Sequence, residues 1–368
     1  MNKKELEAEK ELLSKPGDTI VETLEYYKMS QAELAQRMGK TPSKINDIIS
    51  GKEPITVTTA LQLEKVLGID AQFWLNRETL YREKLSRIVQ EQTLDEYKGW
   101  LNFQPLRELK KYGYLKSEKA DASMIEECLK FYGVASTNQW QSMYVDQYAS
   151  TNFRKSSAHS AELASMAAWL RIGEIEMQKL TLPAYDKDAF KQALLEIRKL
   201  VKDHPENYAS QLQQVCHSVG VGVVFTISIP KAPISGAVRW LRGNPLIQLT
   251  DRHKSNDHFW FTFYHESSHI LLHGKKDVFI EDFEGVSLDN QKEEEADALA
   301  NKLIFLEDIV PDFTGKITES EVRRVARKVN THPAMVIGRL QHLGLVSYSF
   351  GNSLKIKVSL SDMFNTPN

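Results

Sequence analysis

Cysteine is scarce. Cys128 and Cys216 are the two in 368 residues, too few for a disulfide framework or a cysteine-rich metal site. Both sit in amphipathic contexts and read as small buried hydrophobes; a reducing cytoplasm fits that usage. Long apolar runs are missing as well, with none near the roughly 18 residues needed to span a bilayer. The start, Met1-Asn2-Lys3-Lys4-Glu5-Leu6-Glu7, carries charge of both signs where a signal peptide has an apolar core. A cytoplasmic protein without a membrane partner is expected. Nor is there an excess of one charge: the formal net charge is −2, so any nucleic-acid contact must come from a local patch. No repeat of fixed period and no low-complexity tract interrupts the chain.

What remains is the make-up of a globular protein, with 42% hydrophobic and 26% charged residues, and a length that suggests two or three domains. Residues 1–14 form a charged, helix-prone lead-in. Short helices punctuated by Gly17, Gly39, Gly51, Pro54 and Gly68 are predicted over 15–90. From 91 to 204 the spacing stays helical, as in Trp169, Leu170, Ile172 and Ile175, then Phe190, Leu194, Leu195 and Ile197. This stretch reads as packing or interdomain scaffold. Beyond it come two β-branched or apolar runs flanked by Gly or Pro, Val221 to Phe225 and Leu246 to Leu249, which predict strands. A helix over Phe259–Leu272 stopped by Gly274 is predicted next. Glu319 to Lys328 and Pro333 to Leu340 predict a helix pair near the C-terminus, whose arginines read as a solvated cationic face.

In the first helical region, Ser30 and Glu33 have the spacing of a capping box, with Gly39 supplying a tight turn. A second helix is predicted to open at Thr41 with Pro42 in its first position. Ile45, Ile48 and Ile49 give it a buried face. Ser43, Lys44 and Asn46 are left near the exposed N-terminal end, where a recognition helix meets base edges, and Lys40, Thr41 and Lys52 are placed to hold phosphates. Between 15 and 90, Lys and Arg outnumber Asp and Glu by one, a weak electrostatic footprint. Pro16-Gly17-Asp18, Ser30 to Ala35, Ile55 to Leu61 and Phe73-Trp74-Leu75-Asn76 resemble the XRE-type helix-turn-helix of HigA antitoxins. That resemblance implies a domain that binds operator DNA as a homodimer, usually to autoregulate.

Five of the ten histidines lie between His253 and His273, and the core of the group is His265-Glu266-Ser267-Ser268-His269. On a helix, i and i+4 share a face, so both imidazoles can meet one Zn²⁺. Glu266 is rotated off that axis, where it can act on a reacting water. A catalytic zinc needs a third protein ligand. A histidine six residues past His269 would supply it, but that residue is Lys275. Downstream, Glu293-Glu294-Glu295-Ala296-Asp297 opens another helical pattern. There Glu293 is the candidate ligand, and Asp297, one turn on, is the candidate acceptor for a ligand histidine. Packing or capping is expected for His273, packing for Tyr264, and no ligand role for His253 or His258, placed just before the helix.

Phe261 to His273 and Glu293 to Asn301, with Gly220 to Phe225, Ser235-Gly236-Ala237 and Leu246 to Leu249, resemble the ImmA/IrrE family of zinc metallopeptidases. The chain departs from that family at Ser267-Ser268, where a Leu-Gly or similar pair is usual, and at Leu299, where phenylalanine is commoner. The resemblance implies a zinc endopeptidase that cleaves a repressor with its own helix-turn-helix. The expected fold class is therefore multidomain: a lead-in (1–14), an all-α XRE/HigA-like helix-turn-helix domain (15–90), a helical linker or scaffold (91–204), an α+β zincin-like metallopeptidase domain with a small sheet (205–310), and a C-terminal helical pair and tail (311–368). The expected function is a DNA-binding transcriptional regulator whose zinc peptidase cleaves a protein partner, a repressor or antitoxin. The substrate backbone is expected to add to a sheet edge near Pro245 to Leu249. One rival is a non-catalytic, antitoxin-like autorepressor whose peptidase-like domain binds metal or a cognate toxin. Another is self-cleavage between about 80 and 205 that releases the repressor module.

Overall fold

The computed structural model describes residues 3–94, 97–146, 160–274, 279–280 and 290–360. It divides into two compact units, residues 1–99 with 119–126 and residues 100–118 with 127–368. No helix among the described residues is long and apolar enough to cross a membrane.

The first unit is helical: α1 (Lys3–Leu12), α2 (Pro16–Tyr27), α3 (Gln31–Met38), α4 (Pro42–Ile49), α5 (Val57–Leu67) and α6 (Ala71–Leu94). Local chemistry sets each boundary. The Asp18 carboxylate accepts the Lys15 N–H at 2.7 Å and Pro16 opens α2. Ser30 Oγ accepts the Glu33 N–H at 3.1 Å. The reciprocal half of the expected box does not form, because the Glu33 carboxylate turns to Arg37 one turn on, 2.7 Å away. Gly39, at φ 65°, closes α3 in the left-handed region, which glycine enters without a Cβ penalty. Thr41 Oγ1 then caps α4 through the Lys44 N–H. Ile20, Leu34, Ile45, Leu63 and Trp74 fill the core between these helices, and burial of these side chains rather than propensity holds such short helices.

The second unit is built around a four-stranded sheet of order β1-β3-β2-β4: β1 (Gly222–Phe225), β2 (Gly236–Leu241), β3 (Asn244–Leu249) and β4 (Phe279–Ile280). β1 runs parallel to β3, and the β2–β3 and β2–β4 pairs are antiparallel. Arg242 and Gly243, both at positive φ, make the two-residue hairpin turn whose twist suits the strands. Because β3 has a partner on each side, Pro245 to Leu249 cannot accept the added strand expected there. Among the described residues, the edges of the sheet are β1 and β4.

Side-chain alternation sorts the sheet into two faces. On one, Arg239 donates to the Leu170 carbonyl at 2.7 Å and Gln248 to the Trp169 carbonyl at 2.7 Å, tying the sheet to α7 (Ser160–Gln178). Glu174 on α7 neutralises the buried Arg239 at 2.9 Å. On the other face, Val238, Ile247 and Leu249 pack with Phe259 and Phe263 of α10 (Asn256–Leu272). Around this core lie α8 (Lys187–Asp203), α9 (Tyr208–Ser218), α11 (Asn290–Phe305), α12 (Glu319–Lys328) and α13 (Pro333–His342). Thus α7 and α8, from the stretch expected as a scaffold, pack in the same unit as the sheet. α10 starts three residues earlier than its apolar pattern suggests, so His258 lies inside its first turn rather than before it.

Candidate metal centre and nucleic-acid interface

α10 is buried along nearly its whole length, and this forces its polar residues to find partners inside the protein. His265 and His269 lie one turn apart, their rings edge to face, with their Nε2 atoms 3.0 Å from each other. α11 brings Glu293 Oε2 to 3.1 Å from His265 Nε2 and 3.5 Å from His269 Nε2. One turn further along α11, Asp297 Oδ1 lies 2.8 Å from His265 Nδ1. Donation of the Nδ1 proton to Asp297 leaves the His265 Nε2 lone pair facing the other two atoms. Three lone-pair atoms converging in this way repel one another unless a cation sits among them, and two imidazoles with a carboxylate are the donor set of zinc. The residues therefore fit a metal ion: His265, His269 and Glu293 form such a group.

The electrostatics agree. Burial works against a charge on Glu293, but imidazoles protonated toward it would outweigh that and hold the carboxyl down at about 2, a pull that a cation among the three atoms would supply in their place. Burial pushes the His269 imidazole below its usual value, which favours the neutral, lone-pair-bearing form that a metal requires. Asp297 is the partner that fixes the tautomer of His265. Among the described residues, His269 Nδ1 finds no such partner. Its ring is instead stacked on Phe279 of β4, with centroids 3.7 Å apart and 17° between planes. Phe279 was not legible beforehand, since a lone aromatic after the histidine helix carries no spacing signal.

Glu266 is fully buried. A Cβ on Gly236 would come within 2.9 Å of its Oε1 and 2.5 Å of Thr262 Cγ2, so any side chain at this point of β2 must push one of the two aside. His273 stays outside the cluster. Its Nε2 is 3.1 Å from the Lys292 carbonyl, tying the end of α10 to the start of α11. Glu294 and Glu295 are exposed, and Glu295 accepts from Gln291 at 2.9 Å. Tyr264 is buried and donates to the Leu194 carbonyl at 2.8 Å. A cavity of about 380 Å³ opens over His265, Glu293 and Asp297, walled by Ser235 and Thr262 on one side and by Met335 and Arg339 on the other. His253 and His258, stacked with centroids 4.3 Å apart, line it away from the cluster.

In the first unit the candidate contacts are on the surface. Thr41, Ser43, Lys44, Asn46 and Lys52 are exposed and Lys40 is half-buried. Thr41 Oγ1 is committed to the cap of α4. The Lys44 ammonium is paired with Glu53, an exposed pair of the kind that contributes about 0–1 kcal/mol and exchanges readily for a phosphate.

The helix-turn-helix family model matches residues 26–74, which run from the end of α2 into α6. Over 74 residues the chain is 40% identical to Virulence-associated protein I of Dichelobacter nodosus, a match covering 19% of this chain and 67% of that protein. Over 67 residues it is 34% identical to the Uncharacterized HTH-type transcriptional regulator YddM of Escherichia coli (strain K12), covering 18% of this chain and 71% of that one. The chain belongs to the helix-turn-helix family. Its first unit is a DNA-binding domain of the type carried by transcriptional regulators, and in this helix-turn-helix protein α3, Gly39 and α4 supply the two helices and the turn. The histidine cluster lies outside the residues that the family model matches.

Proposed function

We propose that this helix-turn-helix protein is a transcriptional regulator, homodimeric on operator DNA, whose second unit is a zinc endopeptidase of the ImmA/IrrE type acting on a repressor or antitoxin. The observation that supports this reading best is the convergence of His265 Nε2, His269 Nε2 and Glu293 Oε2 beneath an open cavity, with Glu266 on the same helix. Those three residues would hold the ion. When bound, Zn²⁺ supplies Lewis acidity toward a scissile carbonyl and a reacting water. Asp297 keeps the His265 tautomer through Nδ1, and the Phe279 ring holds the His269 plane. Glu266 takes the proton of the attacking water and returns it to the leaving amine. Thr262, Phe261 and Met335 line the cavity around them.

One observation favours the rival, a non-catalytic repressor whose second unit binds metal or a toxin: Glu266 does not line the cavity. Two measurements separate the readings. Mass spectrometry of protein purified without chelator or metal-affinity resin should find about one zinc per chain in the wild type and none in His269→Ala. Glu266→Gln should keep the metal and abolish cleavage of the partner. Zinc in the wild type with a function indifferent to Glu266→Gln would select the rival, and no metal in either protein, with the fold intact, would remove the peptidase.

A further inference from the structure

The face of α11 that carries Glu293 and Asp297 continues as Asn301 and Phe305, each one turn on, and all four line the cavity over the histidine cluster. A second cavity of about 310 Å³ adjoins it, sharing Asn301, Phe305 and Arg339 and extending to Leu306 and Ile309. The two therefore form one groove along α11, and Arg339 of α13 stands at their junction. Among the described residues, the Arg339 guanidinium makes no hydrogen bond or ion pair. Asn301 donates its amide to the Asp297 carbonyl at 2.7 Å, but its Oδ1 is buried without a partner. Where such an atom lines a groove, as Asn301 Oδ1 does here, a donor on a bound molecule can satisfy it.

We propose that Arg339 binds an acidic side chain of the peptide substrate, with Asn301 Oδ1 accepting a backbone N–H beside it. The proposal rests on the peptidase reading and adds a substrate class to it. From the level of Glu293 to that of Asn301 and Phe305 is about 12 to 18 Å along the helix. Extended peptide covers that span in roughly four or five residues, so the acidic residue lies that far from the scissile bond. The two acids of the second cavity are already engaged: Glu307 takes Lys328 at 3.2 Å, and Asp308 caps Val310 at 3.0 Å. They leave the Arg339 fork, which suits a planar carboxylate, for the substrate. Phe305 and Met335 along the groove, and the carboxylates of Glu293 and Asp297 at its other end, disfavour a phosphodiester chain as occupant.

The test uses the full chain carrying Glu266→Gln and two pools of fluorescein-labelled decapeptides, randomised except for a fixed Asp or a fixed Lys. By anisotropy, the Asp pool should bind about tenfold tighter than the Lys pool, the difference expected of a charge-assisted pair. Adding Arg339→Glu should erase or invert that preference, Arg339→Lys should keep part of it, and Asn301→Leu should weaken both pools alike. Equal binding of the pools to Glu266→Gln, or an Asp preference that survives Arg339→Glu in a protein of unchanged melting temperature, overturns the proposal. Tighter binding of a labelled single-stranded DNA than of either pool, lost in Arg339→Glu, would assign the groove to nucleic acid instead. Wild-type protein with zinc, digesting a tryptic peptide library, reports separately on the peptidase. Absence of cleavage there, with the Asp preference intact, would remove the enzyme and leave the acidic-peptide site.

Discussion

The two units keep their chemistry in opposite places. In the helix-turn-helix unit all the candidate contacts but the half-buried Lys40 are exposed, and the residues behind them, such as Ile45 and Ile48, do nothing but hold α4. In the second unit the candidate chemistry is itself the core: His265, Glu266 and His269 are 4%, 0% and 2% exposed on a helix that also packs the sheet. A surface site separates function from stability, because a side chain can be removed from solvent at little cost to the fold. A buried site binds the two together. Each of its polar groups must be satisfied by a neighbour or a ligand, so nearly any change there is felt by both.

The largest expected effect tests whether the buried site can nonetheless be cut cleanly. Glu266→Gln preserves shape and leaves His265, His269 and Glu293 in place, so zinc content and melting temperature should stay near wild type. Loss of the general base should lower turnover of the partner by about 10²–10⁴-fold. A variant that loses metal along with activity would show that Glu266 supports the cluster rather than acting beside it. Gly236→Ala reaches the same carboxylate from the sheet. The new methyl must displace Glu266 or Thr262, at a cost of about 1–3 kcal/mol, and cleavage should fall while zinc is retained.

Next in size is the surface site. Lys44→Ala combined with Asn46→Ala should weaken binding to the DNA upstream of the gene by at least about tenfold, since a good base contact is worth about 1–3 kcal/mol. Melting temperature and zinc content should not move. Glu53→Ala, which frees the Lys44 ammonium, should tighten binding slightly and steepen its salt dependence. Unchanged gel retardation in the double variant would move the recognition surface away from α4. Asp297→Ala should have a comparable effect on the other side of the comparison, lowering zinc affinity about 10–100-fold in a chelator competition with DNA binding unaltered. If zinc affinity holds, the His265 tautomer is set by something other than the 2.8 Å contact with Asp297.

Legibility in the sequence followed the same division. Thr41, Pro42 and Gly39 act within a few residues of themselves, so the boundaries of α3 and α4 could be read from local chemistry. The i, i+4 pairs His265/His269 and Glu293/Asp297 carry their own geometry once each is on a helix. That α11 brings Glu293 to the histidine pair is expected from the need for a third ligand and from the acidic turn ahead of Ala296 and Ala300, and the structure places the three atoms together. What spacing does not encode is strand order. Pro245 to Leu249 has the pattern of a strand, yet nothing in its residues says that β1 and β2 both pair with it and leave no edge. Phe279 carries no signal for the same reason, and Arg339 reads only as part of a solvated cationic face: their neighbours are remote in the chain, and the groove that Arg339 lines exists only after the fold has formed.

The smallest expected effect lies behind the buried site, at a histidine with no part in it. His204, in the left-handed region at the end of α8, accepts the Trp260 indole N–H on Nδ1 at 3.0 Å and stacks on Tyr208 at 4.4 Å. Burial, with a contribution from His332, brings its imidazole down to about 4. In the unfolded chain it titrates near 6.5, so below that pH the unfolded state takes up a proton that the folded state refuses. The stability contributed by neutral His204 is thus fully present above about pH 6.5 and is lost as the pH falls toward 4. After discounting for its partial exposure, the loss between pH 7 and pH 5 is about 1 kcal/mol. Melting curves of the wild type should shift down over that interval, and those of His204→Gln, which can still accept from Trp260 but does not titrate, should shift less. Equal slopes would mean that the protonated imidazole finds room and water beside Trp260. The packing of α8 on α10 would then be looser than that of the helix-turn-helix core, reversing the contrast between the two units.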